Sequence, residues 1–320
     1  MRRPVLVEQV QRANVVCRRV QSVGRNAPAL PLRPLEMPRD IFPRVLQMTL
    51  DELCRRIDLP EPVTTSVMRC AAMPELAAAA SLPPLGADRA SWPGAIETIA
   101  AALGPDADGM KMLTFMLLRA CAAHERYVAL GIDDRVYVDT MAFCTRFVED
   151  HYRTHGVYAF TWGWWLPRQI TLSEFRVGAL EFELVDEADA ATISIHIPGD
   201  ADLQPAALRR SVDDARALIA RVAPRFAQAD MVCDSWLLDP VLRALLDERS
   251  NILTFQSGFD ITGQDPASPH AVRWIFGRYD LAPADLPETT SLQRRVKAMM
   301  LDGRSIGSAQ GRLRADAWLG

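Results

Sequence analysis

Residues 192–222 read TISIHIPGDADLQPAALRRSVDDARALIARV, and this stretch decides the fold. Thr192 to Pro198 places Ile193, Ile195 and Ile197 on one face and Ser194 and His196 on the other, the period-two pattern of a strand. Pro205 then opens a helix, at a position where its missing N–H is no loss and its fixed φ fits. Leu208, Val212, Ala215, Ile219 and Val222 follow at spacings of four, three, four and three, giving one apolar stripe. Met231 to Leu238 (MVCDSWLL) is the next strand. A strand, a helix and a strand in this order form a crossover, which sets the two strands parallel with the helix on the sheet's face.

Outward from the crossover, Arg176 to Val185 alternates, with Leu180, Phe182 and Leu184 opposite Glu181 and Glu183. Asp239-Pro240 caps a short helix through Leu246. Ile252–Thr262 and Ala271–Phe276 read as strands, and Ser291–Leu301 as a helix ending at Gly303. Before residue 157 the signals are helical. Thr49 caps a first helix, with Glu52 three residues on in capping-box spacing. Pro62–Leu82 is broken at Pro74, Ser91-Trp92-Pro93 opens a third helix, Met110–Leu130 stops at Gly131, and Asp134–His155 stops at Gly156. Residues 1–23 carry only a thin apolar stripe, and 24–38 have the proline-rich texture of a linker. The expected class is α+β: an arm and linker over 1–38, an all-helical domain over 39–150, and a mixed β-sheet flanked by helices over 151–320.

Composition sets the limits. The 320 residues, 49% hydrophobic and 24% charged, suit a globular chain of two domains. Basic and acidic side chains number 36 and 40, a net charge of -4, which argues against a nucleic-acid partner. Lys111 and Lys297 are the only lysines, so local positive charge must come from arginine. Six scattered cysteines without a CxxC pair point to a reduced compartment. No apolar stretch of signal-peptide or membrane-helix length occurs. A cytoplasmic protein with no membrane partner is expected, and no oligomeric state is read from the pattern.

FRVGALEFELV (175–185), ISIHIPGDADL (193–203), MVCDSWLLDPVL (231–242) and SNILTFQSGFDI (250–261) occur in order. WIFGRYDL (274–281) and LPETTSLQRRVKAMMLDG (286–303) follow, with Gly307 and Gly311 in the tail. Together they resemble the bacterial family that joins an N-acyltransferase N-terminal helical domain to a GNAT-like C-terminal domain. The family's run near 233 carries a His after the Cys, where this chain has Asp234. The resemblance implies an acyltransferase with acyl-CoA or acetyl-CoA as cosubstrate, no tightly bound cofactor, and an amine or hydroxyl acceptor on a small molecule or protein. The rival is a non-catalytic GNAT-like module that binds a CoA ester, another ligand or a protein partner.

Acyl transfer from a thioester needs a base, donors for the oxyanion and an acid for the thiolate. His196 is chemically suited as the base; alternatively it is a half-buried His satisfied by its neighbours. Glu181 and Glu183 share a face of the preceding strand, as alternative bases or as exposed carboxylates. Ser235 is a further catalytic candidate, while Cys233 on the same face suits a small buried hydrophobe. The resemblance implies that the crossover strand splays from its neighbour to pair with pantetheine. The next loop and helix start would then hold the pyrophosphate, which names Ile197, Gly199, Arg209 and Arg210. Gly199-Asp200-Ala201-Asp202 replaces the usual arginine/glutamine-x-x-glycine-x-glycine/alanine signature, and Asp202 or Gln204 capping the helix is the simpler account. Trp236, Asn251 and Gln256 are candidate substrate contacts, the last two alternatively serving backbone groups. Trp162, Trp164 and Trp165 either line a pocket or pack the helical half on the sheet. His151 and His155 share a helix face, yet no third ligand has matching spacing, so no metal site is expected. Gly303, Gly307 and Gly311 suggest turns.

Overall fold

Thr49 accepts the Glu52 N–H and starts α1 (Leu50–Arg56). The chain is described by a computed structural model over residues 48–187, 190–278 and 280–318; the arm and linker expected over 1–38 lie outside the described residues. Of the described residues, 48–185 and 191–318 belong to one compact unit. This unit continues with α2 (Glu61–Ala71), α3 (Pro74–Ala80) and α4 (Trp92–Leu103), each with proline in its first turn. α5 (Met110–Ala129) is buried on most of its circumference, as its run of Met, Leu and Ala dictates. The helix expected over 134–155 is two, α6 (Asp134–Met141) and α7 (Phe143–His155), parted at Ala142. Gly156 ends α7 at φ +73°, a left-handed cap that glycine adopts without strain. The short α8 (Pro167–Ile170) leads into the sheet. No helix among the described residues is long and apolar enough to cross a membrane.

The sheet holds β1 (Glu174–Val177), β2 (Leu180–Glu187), β3 (Ala190–His196), β4 (Asp230–Ser235), β5 (Phe259–Asp265) and β6 (Ser308–Leu313), in the order β1-β2-β3-β4-β6-β5. α9 (Pro205–Val222) makes the crossover, and β3 and β4 pair in parallel as its sequence requires. β1 with β2, β4 with β6 and β5 with β6 are antiparallel. The mixed sheet with flanking helices is therefore the architecture.

Four local expectations are corrected. The alternation over 176–185 spans two strands, because Gly178 at φ +62° turns the chain between them. The strand expected over 252–262 begins as α11 (Asn251–Ser257), capped by the Ser250 hydroxyl, and only then becomes β5; α10 (Leu242–Leu245) precedes it. The strand expected over 271–276 is α12 (His270–Phe276), and α13 (Ser291–Leu301) follows behind a Thr290/Gln293 capping box. The tail that suggested turns supplies β6. Gly311 lets the strand pack closely there: a Cβ would lie 3.0 and 3.1 Å from the Phe259 and Leu238 side chains.

The hairpin register sorts the two faces of the sheet. Phe175 opposes Phe182 and Val177 opposes Leu180 on one face, against which α9 packs. Ser211 of α9 donates to the Val177 carbonyl and accepts from the Leu180 N–H at 3.1 Å. The other face is polar, yet it is also buried, under α6, α7 and α8. The Arg176 N–H donates to Thr140 Oγ1 of α6 at 2.9 Å, and Arg146 of α7 pairs with Glu181.

Candidate active site

β1 and β2 set Glu174 opposite Glu183 and Arg176 opposite Glu181, so four ionisable side chains share the covered face. Glu183, 2% exposed, gathers the cations. Its Oε2 bonds His196 Nε2 at 2.9 Å, its Oε1 accepts from Arg168 Nε at 2.9 Å, and Arg89 Nη2 lies 3.3 Å from Oε1. Burial opposes ionisation of this carboxyl, but the His196 bond and the Arg168 charge overcome it and hold it down at about 2. His196 ends β3 with 26% of its side chain exposed. Burial pulls the imidazole pKa down; the Glu183 hydrogen bond and charge outweigh that and raise it, and a charge on Glu174, where present, would add to the rise. Such an imidazole is a strong base once its proton is lost, with a fixed carboxylate to hold the imidazolium.

Glu174, 1% exposed, has a different surrounding. Trp165 Nε1 donates to both oxygens, at 3.1 and 3.3 Å, and Gln169 Nε2 donates to Oε1 at 2.7 Å. Burial pushes this carboxyl up to about 8; Glu181 and Glu183 add to the rise, and His196 and Arg168 oppose it. The Arg168 guanidinium lies 3.8 Å from the Trp165 ring centre, and Trp165 meets His196 edge-on at 5.1 Å. Aromatic rings continue through Trp164 and Trp162 to Trp274, which is 43% exposed. Ligand atoms of Glu174, Glu183 and His196 lie within 4.8 Å of one another. In this arrangement the Glu183 oxygens are taken up by His196 and Arg168.

The crossover strands part beside this cluster. β3 and β4 pair from Thr192/Asp230 to Ser194/Val232, and no ladder follows among the described residues, although β3 runs to His196 and β4 to Ser235. On its other side β4 stays paired with β6 through Ser235. His196, the last residue of β3, therefore lies two residues past the last paired position of the crossover strands.

The structure brings only part of the expected set to this point. His196 and Glu183 meet. Glu181 is buried against Arg146. Ser235 caps the 3-10 turn Trp236–Leu238 by accepting the Leu237 N–H at 3.2 Å, and Trp236 is half-buried after it. Ile197 is half-buried just past β3, and Gly199 is exposed with open space around it. Arg209 pairs with Asp213 at 2.9 Å and reaches the Ala315 carbonyl at 3.4 Å, while Arg210 is exposed. Asn251 accepts from Gln204 Nε2 at 3.2 Å. Gln256 is an internal lock, accepting from Arg243 Nε and donating to the Leu237 and Asp239 carbonyls. Burial pushes the Cys233 thiol far up, which fits its packing role. His151 bonds the Val157 carbonyl and its ring lies 4.5 Å from that of His155. A separate open cleft of about 420 Å³ beside Leu245, Asp247, Arg295 and Arg304 holds none of the cluster. Glu174 and Arg176 could have been found by extending the alternation of Phe175 and Val177 backwards. Arg89, Arg146, Arg168 and Gln169 carry no sequence signal.

A mixed sheet of this order, parted at its crossover strands beside a buried histidine–carboxylate pair, defines a GNAT-like protein. Residues 48–172 match the model of the N-acyltransferase N-terminal domain, and residues 174–313 that of the GNAT-like C-terminal domain. The chain belongs to the family that joins these two domains. No curated protein matches it. Among solved structures it is similar to an acyltransferase in complex with CoA and 10C-teicoplanin, at 24% identity and TM-score 0.70 over 83% of this chain and 87% of that one. An acyltransferase in complex with decanoyl-CoA and teicoplanin matches at 24% and 0.70 over 88% and 90%. An acyltransferase mutant with octanoyl-CoA matches at 22% and 0.67 over 83% and 87%. At these identities the likeness is one of fold.

Proposed function

We propose that this protein is an acyltransferase that takes an acyl group from acyl-CoA and places it on an amine or hydroxyl of a small molecule or protein. The parting of β3 from β4 beside His196 carries this reading. Two strand edges are left without a partner there, and the amides of pantetheine are a fitting one. The attacking nitrogen or oxygen bonds to the thioester carbonyl carbon as His196 accepts its proton, and Glu183 stabilises the imidazolium. The carbon–sulfur bond then breaks, and the CoA thiolate takes that proton back.

The start of α9 supports a place for the CoA pyrophosphate. Gln204 makes no side-chain cap, and Arg209 and Arg210 follow one turn in. Asp200, though exposed, pairs with Arg176 at 2.8 Å, which offsets the charge of one of the loop's two carboxylates. In this reading Ile197 and Gly199 lend backbone groups to the cosubstrate, and Trp236 flanks it. The like-folded acyltransferases in complex with CoA and decanoyl-CoA support the same donor. Free, buried Cys54, Cys70, Cys121, Cys144 and Cys233 support a reducing, cytoplasmic setting.

The test is a panel of acyl-CoAs with amine acceptors, following free thiol, alongside amide hydrogen exchange of the chain with and without each CoA ester. Thiol release together with slowed exchange at 195–198 and 233–235 is the expected result. Slowed exchange without turnover would favour the non-catalytic module. Neither effect with any CoA ester would end the acyl-CoA reading.

A further inference from the structure

Two carboxyl groups face each other across β1 and β2, and their surroundings are sorted. Glu183 has Arg168, Arg89 and His196, all cations or able to become one. Glu174 receives only neutral donors, the Trp165 indole and the Gln169 amide. Like charges directly opposite in an antiparallel pair are unfavourable, more so when both are buried. One proton relieves the pair, and it belongs on the carboxyl without cationic partners. A second observation agrees: Gln169 Oε1, on the amide that touches Glu174, is buried without a donor. A protonated Glu174 adds an O–H donor beside that amide.

We infer that Glu174 is a positioning residue that works as a neutral carboxylic acid, holding Trp165 and Gln169 in place while sparing His196 a second negative neighbour. This rests on the proposed acyl transfer, in which His196 must release its proton before it can accept another. Two ionised carboxylates would hold the imidazolium too firmly, whereas Glu183 alone orients it. The groups facing Glu174 are Tyr127 from α5, Arg168 from α8, Glu181 and Glu183 from β2 and His196 from β3, with Arg89 reaching Glu183. Tyr127 stays a phenol, since burial raises it far above neutrality, and it donates to the Gln169 carbonyl at 2.8 Å.

Three measurements on the full chain test this. Infrared spectra of the wild type at pH 7 should show a protonated-carboxyl band that fades as pH passes about 8 and is missing from Glu174→Gln. No such band, or one that persists in the variant, overturns the inference. The His196 titration followed by NMR should move by only a few tenths of a pH unit in Glu174→Gln; a drop of about a unit or more would mean that an ionised carboxylate had been removed. In turnover, Glu174→Ala should lose about tenfold and Glu174→Gln should restore most of it, because the amide copies a neutral acid. Gln as poor as Ala overturns it. If no acyl-CoA is turned over at all, the acyltransferase reading fails, while the band and the titration still decide the state of Glu174.

Discussion

His196 Nε2 and Glu183 Oε2 meet at 2.9 Å, one side chain at the end of β3 and the other from the middle of β2. The bond forms just past the last paired position of β3 and β4, so the cluster's imidazole stands where the parallel ladder ends. His196→Ala should slow acyl transfer by about 10²-fold or more. Glu183→Gln should slow it comparably and lower the His196 titration point, because the fixed negative charge is gone. Steady-state rates and an NMR titration check both, and an unchanged rate in His196→Ala removes it from the mechanism.

Glu174 gives the stability a pH dependence of known sign. Its folded pKa, about 8, lies above the ordinary 4.5. The folded chain therefore binds more protons between those values, and its stability falls as pH rises through them. Glu174→Gln removes that slope. Its thermal midpoint should match the wild type near pH 4 and exceed it by several degrees at pH 8.5, by roughly 2–4 °C per kcal/mol. Glu183, held at about 2, acts in the opposite sense: its contribution is complete above 4.5 and is lost as pH falls toward 2.

Arg146 and Glu181 form a mostly buried ion pair between α7 and β2. Arg146→Ala leaves the Glu181 carboxylate without that partner and should cost about 3 kcal/mol in denaturant unfolding. The double variant Arg146→Met/Glu181→Leu should recover most of it, because a buried pair is often no better than apolar side chains of similar volume. A double variant no better than the single would show that Arg146 acts through something else.

Gly109 precedes α5 at φ +72°, and a Cβ there would lie 1.9 Å from the Phe160 carbonyl oxygen. Gly109→Ala should destabilise by roughly 2–4 kcal/mol, combining left-handed strain with a backbone clash. Gly94 in α4 has open space at its Cβ position, so Gly94→Ala should be neutral or stabilise by about 0.5 kcal/mol. Thermal melts of the two variants would separate these outcomes.

The sequence carried the crossover clearly, because Ile193, Ile195 and the α9 stripe from Leu208 to Val222 each repeat one period without interruption. It carried the helical half through caps and breaks at Thr49, Pro93, Gly131 and Gly156. It misjudged Ile252–Gln256 and Ala271–Phe276, whose short apolar runs fit either a strand or a helix and were settled by the Ser250 cap and by packing. β6 stayed hidden because its one glycine, Gly311, serves close strand approach and looks like a turn residue in isolation.

Period and capping act within a few residues, so the sequence alone determined the α+β order, the parallel pair and the candidacy of His196 and Glu183. Only the tertiary structure decided that the polar face of β1 and β2 is buried under α6, α7 and α8. Alternation of Leu180, Glu181, Phe182 and Glu183 separates two faces but does not say which meets solvent. That depends on Arg89, Arg146 and Arg168, which arrive from elements far away in the chain, and whose charges fix where each proton of the cluster resides.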